Sequence, residues 1–337
     1  MEVEGMKVFI YPPPVRRIHL ERARNVQVHS RYRQLIETAF DRVRTWSPES
    51  ADWFLLPINL IHWQFSNAFP DPREEIERLE FLHRGRHLVI ATGDFGQRRK
   101  SVWESSAPGR AYPDIYQWLD HKWHLIAFES TPDLLPQDFA LFPFALPCSG
   151  FRERCLRISG RLQRCQRDLF FSFAGAISYP QLPATHMRGG ALKALCGLGK
   201  DWFVGSSAES IRVFGWMGTA EAILRRSTFA LCPAGFGRWT FRLAQALEQG
   251  AIPVLLADDY ELPDKSHIDW DSMVVRIPEK DVLSVQTILI TMHPDEIRAR
   301  QQAIQKWASE LRGSRILERL IERIVQQKPP LGNRGIA

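Results

Sequence analysis

Apolar residues along this chain alternate between two periods, and that alternation outlines a fold. The runs Val8–Tyr11, Trp53–Leu56 and Leu88–Ala91 are short and apolar throughout. Between them, apolar residues recur at three- and four-residue spacing. Runs of the first kind read as strands buried on both faces, and the wider spacing reads as helices with one core-facing stripe. Arg31–Val43 has Leu35, Ile36, Ala39, Phe40 and Val43 at such spacing, and Arg73–Leu82 is a second candidate helix. The pattern restarts further along: Leu169–Phe173, Trp202–Val204, Phe229–Cys232, Ile252–Leu256 and Met273–Arg276 predict strands. Thr219–Arg226, Val282–Met292, Asp295–Leu311 and Arg315–Val325 predict helices. Strands alternating with helices imply parallel sheets, so the class is α/β.

Proline-rich Pro132–Gly150 interrupts this alternation. It suggests a first domain over 1–165, a second over 166–312, and a C-terminal helix and tail over 313–337 that packs back on the first. The length of 337 residues with 45% hydrophobic content suits two packed domains. Eleven Trp and twenty Phe supply large surfaces to bury. No apolar run is long enough to span a membrane, and no charged-then-apolar leader precedes the first strand. The five cysteines form no C-x-x-C pair, which argues against a zinc site and a disulfide framework. A reducing cytoplasm is the compartment this predicts. The net charge of +6 is modest and requires no nucleic-acid partner. Part of the excess lies in Phe151–Arg167, with six arginines and one Glu. Arg154, Arg157, Arg161 and Arg164 recur there at helical spacing, as in a linker helix or one that touches an anionic membrane at its inner face.

The most informative stretch is Ser227–Pro263. It reads as strand, glycine loop, helix, strand and acidic loop. Gly235 and Gly237 flank Phe236, and Arg238 follows. Thr240 is a suitable N-cap, and Gly250 a suitable terminator of the next helix. A helix start after a glycine loop favours anions, phosphate above all, and Arg238 and Arg242 add fixed positive charge. Arg242, Gln245 and Gln249 share one helix face, with Leu243, Ala246 and Leu247 on the other. No G-x-x-x-x-G-K-[ST] or G-x-G-x-x-G is present, which argues against a P-loop NTPase and a dehydrogenase.

The order Pro-x-Gly-Phe-Gly-Arg-Trp-Thr-x-Arg-Leu, then Gly-x-Ile-Pro-Val, then Asp-Asp-x-x-Leu-Pro, over Pro233–Pro263, resembles the signature of exostosin-family (GT47-like) glycosyltransferases. KVFIYP at Lys7–Pro12, ADWFLLP at Ala51–Pro57, GRHLVIATGDFG at Gly85–Gly96 and RDLFFSFAG at Arg167–Gly175 are similar to further family segments. The resemblance covers residues from about 6 to about 310. It implies a GT-B architecture, in which two Rossmann-like domains face each other across a cleft, the first on the acceptor side and the second binding the nucleotide sugar. It also implies an inverting transfer from a nucleotide-diphosphate donor, a UDP-sugar, to a glycan or lipid-linked acceptor in polysaccharide biosynthesis.

Gly235, Phe236, Gly237, Arg238, Thr240, Arg242, Gln245, Asp258 and Asp259 are then the donor-binding candidates. The leaving diphosphate is stabilised by Arg238, Arg242 and the helix start, with no metal and no other cofactor. Asp258 and Asp259 are adjacent, point apart, and suit a turn or contacts to donor hydroxyls better than a metal site. Asp94, in the loop after the third strand, is the first candidate base, and His62 the second. In one respect the chain departs from the pattern. The family has Glu where this chain has Gln245, and the resemblance implies that this Glu holds the ribose hydroxyls. Gln offers one acceptor and one donor in place of a carboxylate. A catalytically degenerate nucleotide- or glycan-binding protein is the alternative that follows.

Overall fold

The computed structural model of the chain describes residues 5–12, 24–61, 76–83, 86–93, 123–128, 134–146, 167–178, 187–188, 190–235 and 237–327. These form two compact units, one within 1–103, 111–141 and 314–337, the other within 142–313.

The first unit is built on six strands: β1 (Val8–Ile10), β2 (Arg44–Thr45), β3 (Trp53–Asn59), β4 (Arg86–Ala91), β5 (Trp123–Ala127) and β6 (Phe139–Ala140). They lie in the order β2-β1-β3-β4-β5-β6, and every pairing is parallel. The three expected strands are therefore present, joined by three that no long apolar run announced. β3 is buried at every position, as expected of a central parallel strand. The helix Arg24–Ala39 packs on it, and Tyr32, Ile36 and Phe40 are among the most buried side chains. The helix begins seven residues before the predicted Arg31, and Phe40–Val43 tightens into a 3-10 turn. Of the predicted Arg73–Leu82 helix, only the part from Ile76 is described, and it is helical only at Ile76 and Glu77 before turns within 78–83. The chain reverses its direction of travel across the sheet between β1 and β3.

The second unit repeats the plan. Its strands are β7 (Leu169–Ala174), β8 (Gly197–Leu198), β9 (Trp202–Gly205), β10 (Ser227–Pro233), β11 (Ile252–Leu256) and β12 (Val275–Arg276). The order is β12-β11-β10-β7-β9-β8, with only the edge strand β8 antiparallel. The chain first travels from β7 to β9, then returns to place β10 on the other side of β7. The reversal lies between β7 and β10, and in open α/β sheets ligands bind at the carboxyl ends of strands at such a point. Two buried hydroxyls, Ser172 and Ser227, bond at 2.6 Å across this strand pair. At the opposite, amino end, Arg167 donates to the carbonyls of Ser227, Gln249 and Gly250, and so ties β10 to the turn before β11. A helix without a sequence-based expectation, Ser207–Phe214, opens on a capping box of Ser206 and Glu209.

The unit boundary falls at 141/142 and not at 165/166. Phe142 and Phe144 are buried in the second unit: Phe142 packs on Trp270 with ring centroids 5.0 Å apart, and Phe144 lies against Gly313, where a Cβ would meet its ring at 2.5 Å. Beyond Gly313 the chain returns to the first unit. The helix Gly313–Gln326 buries Ile316, Leu317, Leu320, Ile321 and Ile324 there. Arg323 donates to the Ala140 carbonyl at 2.7 Å, and Arg86 to the Gln327 carbonyl at 2.5 Å. Leu320 is fully buried, so Leu320→Ala should cost about 2–5 kcal/mol of first-unit stability. Chemical denaturation followed by circular dichroism measures this, and a cost below about 1 kcal/mol would contradict the packing described.

Candidate functional site

The site candidate grows from the way β10 ends. Its last residues are buried, Pro233 closes the strand, and the loop 234–240 carries the chain into the helix Phe241–Glu248. The loop is closed by a hydrogen bond from Gly235 N–H to the Trp239 carbonyl at 3.1 Å. A Cβ on Gly235 would lie 2.7 Å from that same oxygen. This glycine is therefore required by the loop's own closure. Thr240 is the N-cap, as its position predicted: its hydroxyl accepts from Arg242 N–H at 3.3 Å. It is also buried, with the hydroxyl engaged within the loop.

Arg242 leaves the first turn of this helix and crosses the switch point. Its Nη2 donates to the Ala174 carbonyl, at the carboxyl end of β7, at 2.5 Å. The guanidinium carbon lies 5.6 Å from the centre of the Phe173 ring, within cation–π range. Gly175 leaves it the room. A Cβ there would sit 3.2 Å from Arg242 Nη2 and 2.8 Å from the edge of Phe173. Below lies Cys232, fully buried, whose thiol is pushed up to about 12 by burial against the opposing pull of Arg242 and Arg188. A half-buried cation, the start of an eight-residue helix and the exits of two central strands thus converge on one point. Such an arrangement receives an anion.

The acidic loop after β11 divides its two carboxylates. Asp258 accepts from Glu279 N–H at 2.9 Å, and Glu279 accepts in turn from Asp258 N–H at 3.4 Å. Asp259 turns the other way and lies 4.0 Å from Arg238. The adjacent pair does point apart, and Asp258 serves the turn. Glu279 is held above the usual carboxylate range, first by burial and then by the two aspartates. Arg238 is part-buried and Asp259 mostly exposed, so their pairing is weak and readily exchanged for a ligand.

The helix face expected to carry Arg242, Gln245 and Gln249 is shorter than the periodicity suggested. Gln249 is the C-cap, and its side chain accepts twice from Arg225, at 3.2 Å each, away from Arg242. Gln245 stays half-buried with no side-chain hydrogen bond among the described residues. Gly250 follows with φ +70°, the left-handed conformation expected of the terminator. Phe236, Asp94, His62 and the Arg154–Arg164 segment lie outside the described residues. Their described neighbours in the first unit form a buried polar cluster: Asn59 Nδ2 donates to Thr92 Oγ1 at 2.6 Å, and His29 Nδ1 lies 2.8 Å from the same hydroxyl. The cluster ties the ends of β3 and β4 to the first helix through the Thr92 hydroxyl and backbone N–H. Two residues here escaped the sequence reading, His29 and Asn59, because neither belongs to a motif.

A family model described as the Exostosin GT47 domain matches residues 2–292. The chain belongs to the exostosin GT47 family. Among the curated relatives, a "Probable glucuronosyltransferase" of Oryza sativa subsp. japonica is 26% identical over 287 residues, covering 78% of this chain and 61% of that protein. Another from the same species, "Probable glucuronosyltransferase GUT1", is 41% identical over 284 residues, with 78% and 63% covered. "Probable beta-1,4-xylosyltransferase IRX10L" of Arabidopsis thaliana is 24% identical over 286 residues, with 78% and 64% covered. The chain thus spans somewhat over three fifths of these relatives' length. Within the exostosin GT47 signature of this chain, Gly235 and Thr240 close the loop and cap its helix, while Arg238, Arg242 and Gln245 are part-buried.

The role given to Gly175 is directly measurable. Gly175→Ala should displace Arg242 and weaken binding of a nucleoside diphosphate by roughly tenfold, about 1.4 kcal/mol. Calorimetric titration with UDP checks it, and unchanged affinity would separate Arg242 from the ligand.

Proposed function

We propose that this chain is an inverting, metal-independent glycosyltransferase that moves a sugar from a UDP-sugar to a glycan or lipid-linked acceptor in polysaccharide biosynthesis. The observation that carries the reading is Arg242 at the β7/β10 switch point, beside the start of the Phe241–Glu248 helix. The names of the relatives support the reaction class, and their division between glucuronosyl and xylosyl leaves the sugar open.

In the transfer, the acceptor oxygen attacks the anomeric carbon as the bond from that carbon to the β-phosphate oxygen breaks. The acceptor proton passes to a base, for which Asp94 and then His62 are the candidates. β3 ends at Asn59, three residues before His62 in the sequence, beside that sheet's switch point, which supports keeping His62 as a candidate. Negative charge gathers on the departing diphosphate, where a fixed guanidinium and a helix start lower its energy without reorganising. Metal-independence is supported by the divergence of Asp258 and Asp259, one held to Glu279 N–H and one beside Arg238, so the two carboxylates do not converge on one ion.

A second reading, a degenerate binder, is favoured by Gln245, a neutral residue where the family resemblance implies Glu. The two separate in one experiment. The parent and Gln245→Glu are assayed with a panel of UDP-sugars and oligosaccharide acceptors in EDTA. The proposal expects turnover by the parent in chelator and donor binding tightened by about 1 kcal/mol in Gln245→Glu, the difference between a neutral and a charge-assisted hydrogen bond. Turnover that needs Mn²⁺ would remove metal-independence. A silent parent with an active Gln245→Glu would establish the degenerate binder.

A further inference from the structure

Under the glycine loop lies a second arginine that no motif singled out. Arg188 is almost fully buried, and its guanidinium reaches three segments of chain at once. Nε donates to the Ala234 carbonyl at 2.7 Å and Nη2 to the Pro233 carbonyl at 3.1 Å, both where β10 passes into the loop. Nη2 also lies 3.4 Å from the Thr240 hydroxyl, the cap of the Phe241–Glu248 helix. Nη1 donates to the Ala176 carbonyl at 3.3 Å, just beyond β7. Its guanidinium carbon is 5.5 Å from the centre of Phe173, the ring that also carries Arg242. One planar fork therefore joins the exit of β7, the exit of β10 and the N-cap of the helix.

Resting on the donor-site reading above, we propose that Arg188 is a positioning residue of that site: it fixes the loop 234–240 and the helix start so that Arg242 and the first-turn N–H groups meet the diphosphate. Three features carry this. The acceptors it holds are the backbone oxygens that set the loop's path, and no other side chain among the described residues is shown bonding to all three segments. Placing a guanidinium in a buried site is costly unless hydrogen bonds satisfy it, and here the fork geometry supplies them. Both Arg188 and Arg242 lie within cation–π range of Phe173, so one ring packs against the two guanidinium groups. Arg188 thus acts through the loop, without touching the reacting atoms. Lysine keeps the charge, but its single ammonium cannot span acceptors set out for a planar fork.

Arg188→Lys and Arg188→Ala are compared with the parent by calorimetric titration with UDP, by donor and acceptor KM, and by alkylation of Cys232 followed by peptide mapping. Cys232 is completely buried beneath the loop, whereas Cys196 is exposed and serves as the internal reference. The expected result is that Arg188→Lys binds UDP at least tenfold more weakly. Donor KM should rise while acceptor KM holds, and Cys232 should be alkylated faster than in the parent. Parental UDP affinity and parental Cys232 protection in Arg188→Lys would overturn the proposal, even if Arg188→Ala fails to fold. If the parent itself binds no UDP, the donor-site reading fails. The alkylation of Cys232 then still decides whether Arg188 holds the loop: faster labelling supports it, unchanged labelling overturns it.

Discussion

The site depends on one constraint: the carboxyl ends of β7 and β10 must be held at a fixed separation while the chain leaves β10, turns, and enters a helix. Parallel pairing fixes the strands, with Phe171 opposite Phe229 and Ser172 opposite Ala230. Pairing stops at the strand ends, and there two guanidinium groups take over. Arg242 bonds back to Ala174, and Arg188 bonds to Ala176, Pro233 and Ala234. Arg167 does comparable work at the amino ends, on Ser227, Gln249 and Gly250. Arginine suits all three places because its five donors lie in one plane and match carbonyls arriving from different segments. Part of the chain's positive charge is thus built into the interior of the second unit, which modifies the view of it as a surface property aimed at partners.

Much of this was legible in the sequence where local patterns decide the structure. Ile252–Leu256 is a strand over the residues its apolar run marks, Thr240 caps its helix, and Gly250 ends it. Each of these rests on a property of one residue or one short run. The elements that were missed are those where burial is carried by residues that look polar or where a strand is very short. β5 contains His124, whose ring bonds the Gln137 carbonyl at 2.8 Å and packs against Trp53, so a buried strand reads as a broken apolar run. β2, β6 and β8 have two residues each, and at that length they owe their pairing to the strands beside them, whereas β12, equally short, falls within the expected Met273–Arg276. The capping box at Ser206 and Glu209 was a readable signal for the Ser207–Phe214 helix.

The loop and helix of the candidate site were legible in the sequence, and the contacts within them less so. Periodicity grouped Gln249 with Arg242, but the helix ends at Glu248, and Arg225 captures the Gln249 side chain. Gly235 was a donor-binding candidate from its loop, and the nearest atom to a side chain built there is the Trp239 carbonyl. Arg188 stands far from the signature in sequence, and only the fold brings it beneath the loop. Gln245 lies one helical turn beyond Arg242, half-buried, at the position where the family resemblance implies a carboxylate.

The central claim is that the anion site lies at the β7/β10 switch point, and a crystal structure of the protein with UDP tests it most directly. The account predicts diphosphate oxygens within about 3 Å of the Arg242 guanidinium and of the first-turn N–H groups of the Phe241–Glu248 helix, with the ribose near Gln245. A well-ordered UDP elsewhere, or one whose phosphates are turned away from Arg242, would contradict it.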